Sequence, residues 1–413
     1  MTRIQVLKFG GTSVTTPDSR ARAATIVGEV MDRGVTPVVV VSAMGRQGDP
    51  YATDTLLKLV ETDADVKPDT DRDVDLLLMC GEVISAVTFA HVLHTQGRRA
   101  QVFTGAQAGV ITDGRHRDAK ILRVEPKAVR EALAQGLIPV VAGFQGATVD
   151  GEITTLGRGG SDTTAAALGA ALEAEEVVIY TDVDGILTAD PRIVAEARIL
   201  ERVDYDETFQ LAHAGARVVH PRAVEIARQF NVPLRVKSTF SNHPGTLIAY
   251  RADTLDVWQS RQSDRVVTGV THLTGLAQVR VEAPDASGPE FDHALFRSLA
   301  ERGISVDLIN VFPDRKVFCV MGGDAGAART VLAAMGVSFS ILEHLAKVSI
   351  VGSAIHGLPG VMAHVTGALA SIGVRILATA DSTLTISCLL AEDDVVAAVR
   401  ALHSEFHLGE TAA

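Results

Sequence analysis

Over residues 1–248, short β-branched apolar runs alternate with longer stretches of helical period, a pattern that few folds accept. The runs Ile4–Phe9, Pro37–Ser42, Ile138–Gly143 and Glu176–Thr181 are strand-length and largely apolar. Strands apolar on both faces are buried on both faces. Between them lie Ser19–Asp32, Val74–Thr95, Pro126–Gln135 and Asp162–Glu173, which carry helical periodicity. The alternation predicts a mostly parallel sheet between helices, an α/β layered domain. At 413 residues the chain is too long for one core, so two or three domains are expected.

The texture changes near residue 249. Ser241–Gly245 is a turn cluster, and Arg251–Asp264 is polar apart from features such as the single tryptophan, Trp258. This reads as a linker over 249–265. An internal repeat follows. Ala294–Val311 and Val365–Ala380 each read as an amphipathic helix closed by a glycine, Gly303 or Gly373, and then a strand. Strand-like Leu276–Val281 and Lys347–Val351 precede these segments; Lys316–Met321 and Thr383–Leu390 follow them, with a last helix at Asp393–Glu405. Two copies of a small α+β module are expected, over 266–340 and 341–413.

A formal charge of −12 with no Lys/Arg block argues against nucleic acid as a partner. The three cysteines, Cys80, Cys319 and Cys388, form no CxxC or metal-ligand spacing and read as buried free thiols. No leader pattern opens the chain, and apolar runs such as Val38–Val41 are too short to span a bilayer, so a soluble cytoplasmic protein without membrane partners is expected.

Three segments carry chemistry. Lys8-Phe9-Gly10-Gly11-Thr12-Ser13 follows the first strand, where two glycines permit close backbone approach to a phosphate and the lysine adds a mobile charge. It is not a Walker A loop, and taken alone it also reads as a structural turn. Thr155–Thr164 places Gly157, Gly159 and Gly160 before an alanine-rich helix whose first N–H groups suit an anion. Ser161 or Asp162 could cap that helix. Arg158, inside the glycine loop, suits a carboxylate or phosphate. Tyr180–Gly185 and Thr188–Arg192 set polar groups beyond a strand; EF-hand spacing is missing, so a ligand crevice is the better reading. Glu82, in an otherwise apolar helix, reads either as a surface residue or as a substrate contact. No metal site is predicted.

Taken together, KFGGTSV (Lys8–Val14), VVSAMG ending at Gly45, Gly81-Glu82, GFQG (Gly143–Gly146), TTLGRGGSDTTA, YTDVDGILTADPR (Tyr180–Arg192) and HPRAVEIA (His220–Ala227) resemble the aspartate kinase family. The likeness covers essentially the whole chain, tandem ACT-type modules included, and RQGDPYATD at Arg46–Asp54 is most similar to the Bacillus-type isozymes. The resemblance implies an amino-acid-kinase domain followed by two ferredoxin-like ACT modules. It implies transfer of the γ-phosphoryl group of ATP, with Mg²⁺, to the β-carboxylate of L-aspartate. That step leads to lysine, threonine, methionine and diaminopimelate. Carried over, Lys8 and Asp162 are catalytic. Lys8, Phe9, Gly10, Gly11, Ser42, Thr181, Asp182, Leu187, Thr188, Ala189, Asp190, Pro191, Arg192 and Arg217 hold ATP; the family usually has lysine where Arg217 stands. Thr53, Glu82, Arg158, Gly159, Gly160 and Ser161 hold aspartate.

A carboxylate is ionised at neutral pH, so such a reaction needs no general base. It needs positioning and charge neutralisation. This agrees with the lack of a Ser-His-Asp or Cys-His arrangement and leaves His213 and His220 as surface or packing residues. For regulation the resemblance points to Asp285 in the first module and to Gly357, Pro359 and Gly360 in the second. The effector would be diaminopimelate, lysine or threonine, and the paired modules imply a homodimer or larger oligomer. A kinase of glutamate or acetylglutamate, and a catalytically inactive amino-acid sensor, are the competing readings.

Overall fold

The computed structural model describes residues 3–60, 71–216, 218–250, 266–282, 288–353, 355 and 358–410. The chain divides into two compact units, residues 1–186, 199–212 and 217–256 in the first and 187–198, 213–216 and 257–413 in the second.

In chain order the strands of the first unit are β1 (Ile4–Phe9), β2 (Thr36–Val41), β3 (Ala100–Phe103), β4 (Val110–Thr112), β5 (Ile121–Val124) and β6 (Ile138–Ala142). They continue with β7 (Gln145–Ala147), β8 (Ile153–Thr155), β9 (Glu176–Thr181), β10 (Arg202–Val203), β11 (Leu234–Ser238) and β12 (Thr246–Ile248). Eight form one sheet in the order β10-β12-β11-β9-β1-β2-β6-β3, and four form a smaller sheet, β5-β4-β7-β8. Neighbours in the large sheet are parallel except β11 and β12. This is the expected layered α/β domain.

The valine run explains the centre of the sheet. Val38 to Val41 are all at 0% exposure, as a central strand covered on both faces requires. One core joins Leu7, Phe9, Val39 and Val41 to Val27 of the helix Pro17–Asp32 and to Phe89 and Leu93 of the helix Asp71–Thr95. Each such side chain contributes roughly 1.5–3 kcal/mol by burial. The helix Gly160–Leu172 packs against β1 and is buried continuously from Gly160 to Gly169, its alanines allowing close approach.

The helix Asp71–Thr95 departs from the expectation about apolar length, because its 25 residues are long and apolar enough to cross a membrane by length and composition. Its apolar side faces the sheet instead, and two of its carboxylates, Asp75 and Glu82, are buried.

The second unit is built on one six-stranded antiparallel sheet. Its strands are β13 (Gly269–Glu282), β14 (Asp307–Val311), β15 (Arg315–Met321), β16 (Phe339–Val351), β17 (Ala378–Asp381) and β18 (Thr385–Ala391), in the order β14-β15-β13-β16-β18-β17. The repeat is visible in the sheet's two halves. Leu276–Glu282 of β13, β14, β15 and the start of β16 carry the helices Pro289–Ala300 and Ala325–Ala334 over one core. Gly269–Leu273 of β13, the end of β16, β17 and β18 carry Val361–Ser371 and Val395–Glu405 over another. The front of β13 therefore serves the second half and its rear serves the first, with a bulge between Leu273 and Leu276 where Gly275 has φ +73°. Gly303 and Gly373 close their helices at φ +71° and +74°, as their position in the repeat required.

Of the thiols, Cys319 and Cys388 are buried as expected, and burial pushes them up to about 12 and about 11. Cys80 is exposed, contrary to expectation, because its helix turns it away from the sheet.

Candidate active site

A cavity of about 420 Å³ opens in the first unit where β1, the helix Asp71–Thr95 and the glycine loop converge. It is lined by Lys8, Ser42, Thr53, Glu82 and the whole of Gly157–Asp162, with Arg117, Phe144 and Thr155 among the others. Motifs as much as 154 residues apart in sequence, Lys8 and Asp162, meet there.

Lys8 sits on β1, its side chain 11% exposed, with Nζ 2.7 Å from Asp162 Oδ1. The contact is close but not aligned as a hydrogen bond. The other oxygen of Asp162, Oδ2, accepts from the His220 N–H at 3.3 Å. Behind Lys8, the turn at Gly10-Gly11 is locked by the Gly10 N–H donating to Tyr180 O at 3.1 Å. A Cβ at Gly11 would lie 2.6 Å from Gly45 O, so only glycine fits this crossing of β1 and the loop after β2.

The glycine loop differs from one detail of the sequence reading. Neither Ser161 nor Asp162 caps the helix Gly160–Leu172; its N-cap is Gly159, left-handed at φ +68° with no side-chain bond. A Cβ there would fall 2.1 Å from the His220 ring. The uncapped start leaves the Ser161 and Asp162 N–H groups without a hydrogen-bond partner among the described residues. Arg158 is exposed beside them and likewise makes no hydrogen bond or ion pair among the described residues. The loop thus presents two free N–H groups and an uncommitted guanidinium, an anion site by composition.

Glu82 is 2% exposed, which removes the surface reading. Its Oε1 accepts from the Ala43 N–H at 3.1 Å, while Oε2 is buried without a partner. Burial pushes its carboxyl up to about 8, opposed by the bond from Ala43. A buried carboxylate with one oxygen unclaimed at a cavity wall is suited to an incoming ammonium.

Other expected positions are less directly placed. Phe9 is fully buried and stacks on Tyr180 at 4.9 Å, so its side chain belongs to the core. Thr181 ends β9 and Asp182 follows it, both outside the cavity lining, and Asp182 pairs with Arg46. Leu187–Arg192 belong to the second unit. There the Thr188 hydroxyl lies 3.0 Å from His403 Nε2, Ala189 joins the apolar core, and Asp190 binds Arg192 at 2.7 Å. The side chains of Thr188 and Ala189 are buried in that unit. Arg217, Asp285 and Gly357 lie outside the described residues. Pro359 and Gly360 precede the helix Val361–Ser371, which Gly360 opens at φ +97°. His220 takes the packing side of the expectation: it is half-buried, abuts Gly159, and accepts from the Arg222 N–H at the start of its helix. Burial lowers its pKa against the opposing pull of Asp162.

Sequence reasoning missed Asp75, Arg117 and the role of Thr155. Asp75 stands seven residues before Glu82, two turns along the same helix face, and that spacing was a usable signal. Arg117 offered none.

A site with these groups on this sheet is that of a phosphotransferase acting on a small acid. The chain matches the Amino acid kinase family over residues 3–238 and an ACT domain over 348–406. It is 45% identical over 412 residues to Aspartokinase 1 of Bacillus subtilis, covering 99% of this chain and 100% of that one. The solved E. coli aspartokinase III with aspartate and ADP superposes with a TM-score of 0.78 at 26% identity, covering 98% and 99% of the two chains. The same enzyme with lysine and aspartate, in its T-state, gives 0.74, again at 26% identity and 98% and 99% coverage. The chain belongs to the aspartokinase family.

Proposed function

We propose that this enzyme phosphorylates the β-carboxylate of L-aspartate with ATP, giving 4-phospho-L-aspartate, the entry step to lysine, threonine, methionine and diaminopimelate. One observation carries the reading. A single cavity presents the Lys8–Asp162 pair, the free Arg158 and the half-satisfied Glu82, matching a substrate with two carboxylates and one ammonium.

The β-carboxylate, ionised at neutral pH, attacks the γ-phosphorus in line; the bond to the β,γ-bridging oxygen breaks and ADP leaves. No proton need be removed from the nucleophile. Lys8 offsets charge on the transferred phosphoryl group, and Asp162 holds the ammonium of Lys8 in place. The Gly10-Gly11 turn lets the nucleotide's phosphates approach the backbone. Arg158 and the free N–H groups of Ser161 and Asp162 hold carboxylate oxygens; Glu82 takes the ammonium; Thr53 closes the cavity wall. Ser42, Thr181, Asp182 and Arg217 are assigned to the nucleotide by the family resemblance.

Among the described residues no three His, Cys, Asp or Glu side chains converge to cage a metal. Mg²⁺ that arrives on nucleotide phosphates needs only one or two protein carboxylates, and Asp162 is the aspartate in the cavity lining that would serve as one. When bound, it would neutralise charge on the β- and γ-oxygens.

We further read 1–248 as the catalytic domain, 249–265 as linker, and the remainder as two ACT modules, with 269–273 serving the second. The effector is an amino acid, diaminopimelate before lysine or threonine, and a homodimer forms through the modules. The edge strands β14 and β17 support pairing, Ile309 and Val311 being about half exposed at one edge. The enzyme acts in the cytoplasm.

The test is ADP release, followed by a coupled assay, with ATP, Mg²⁺ and a panel of small acids. Aspartate-dependent ADP formation well above that with glutamate or acetylglutamate is expected; equal rates with all acids would overturn the reading.

A further inference from the structure

We propose that Arg117 is a second guanidinium for the substrate's carboxylate, held at the cavity by the buried carboxylate of Asp75. The inference rests on the reading of the cavity as an aspartate site.

Arg117 lines the cavity yet has a left-handed backbone, φ +67°, a conformation that residues other than glycine adopt only under strain. Something must hold it there. Asp75, at 0% exposure, accepts the Arg117 N–H on both oxygens at 3.1 Å and lies 2.9 Å from His116 Nδ1. The same carboxylate accepts from the Thr155 hydroxyl at 2.5 Å, and Thr155 also lines the cavity. One buried group thus fixes two wall residues and ties them to the helix that carries Glu82.

The loop is braced against the glycine loop as well. A Cβ on Gly157 would lie 3.2 Å from Arg117 O and 2.9 Å from Asp118 Oδ1. Asp118 pairs with Arg222 Nη2 at 2.8 Å, while Arg222 Nη1 donates to Leu156 O at 3.0 Å. Strain and the ties through Asp75 and Asp118 are spent on holding a residue whose own guanidinium has, among the described residues, one loose partner, Asp71, 3.6 Å away and itself exposed. Arg117 shares a cavity wall with Thr155 of β8, Gly157 and the helix Asp71–Thr95, in a lining that does not include Gly10 or Gly11. Its ligand is therefore a carboxylate of the acid, and not the nucleotide.

Arg117→Gly separates side chain from backbone, because glycine keeps the left-handed turn without strain. Expected are a fall of tenfold or more in kcat/KM for aspartate, a KM for ATP within twofold of wild type, an unfolding midpoint not lowered, and partial recovery in Arg117→Lys. Asp75→Asn should show the same split between the two substrates. A kcat/KM for aspartate within twofold of wild type in Arg117→Gly, or equal losses for both substrates, would overturn the inference. Failure of the wild-type enzyme to use aspartate would instead sink the functional reading beneath it.

Discussion

Charged groups decide this site residue by residue, and two of them set measurable balances. Glu82 has a folded pKa of about 8 against an ordinary value of 4.5, so the folded chain keeps a proton that the unfolded chain releases. For this group, stability is greatest below about 4.5 and falls as pH rises towards about 8. Glu82→Gln should therefore raise the unfolding midpoint of the ligand-free enzyme at pH 8 and leave it nearly unchanged at pH 4.5. A bound ammonium reverses the balance and favours the ionised form. Aspartate binding near pH 7 should release a proton, seen as a calorimetric enthalpy that differs between buffers of unlike ionisation enthalpy; identical enthalpies would contradict Glu82 as the ammonium ligand. Lys8 behaves differently. Its ion pair with Asp162 is nearly buried, so Lys8→Ala should cost up to about 3 kcal/mol of stability besides reducing turnover by orders of magnitude. The sequence alone does not reveal that partner, which stands 154 residues away. Retention of near-wild-type kcat by the folded variant would remove Lys8 from the mechanism.

At the scale of elements, the glycine loop and the helix it opens form the working part. Gly159 and Gly151 both have positive φ, yet only Gly159 is crowded, with His220 against it; nothing lies within 4 Å of a Cβ at Gly151. Gly151→Ala should cost about 1–2 kcal/mol and leave kcat/KM unchanged. Gly159→Ala should cost more and lower kcat/KM for aspartate at least tenfold, since it displaces the helix start that presents the free N–H groups. Steady-state kinetics with thermal unfolding would separate the two. Much of this element was legible in the sequence. Clustered glycines before an alanine run specify a loop and a close-packed helix by local chemistry alone. The valine run of β2 likewise announced a buried strand. Asp75 with Thr155, 80 residues apart, and Asp75 with Arg117, 42 apart, were not legible, because such contacts exist only once helix, loop and sheet have met. The capping role was misjudged for a related reason: Ser161 and Asp162 have the right chemistry, but the His220 ring from another helix forces the cap onto glycine.

For the molecule as a whole, the kinase sheet and the six-stranded regulatory sheet belong to separate units, the second with a core under each half of its sheet. The interleaving of β13 between the two halves of the second sheet could not be read from the repeat, which marks similar segments but not which strands pair. A regulatory role predicts that an end-product amino acid changes the enzyme's affinity for aspartate by roughly 5–150-fold, a coupling of about 1–3 kcal/mol. Diaminopimelate, lysine and threonine titrated against initial rate would reveal it, and no response to any of them would leave the modules structural. The central claim is that aspartate's β-carboxylate becomes an acyl phosphate. Hydroxylamine added to the enzyme with ATP and Mg²⁺ traps such a product as a hydroxamate. Hydroxamate formed with aspartate, and not with glutamate or acetylglutamate, is the predicted result; ATP consumption without hydroxamate from any acid would contradict the account.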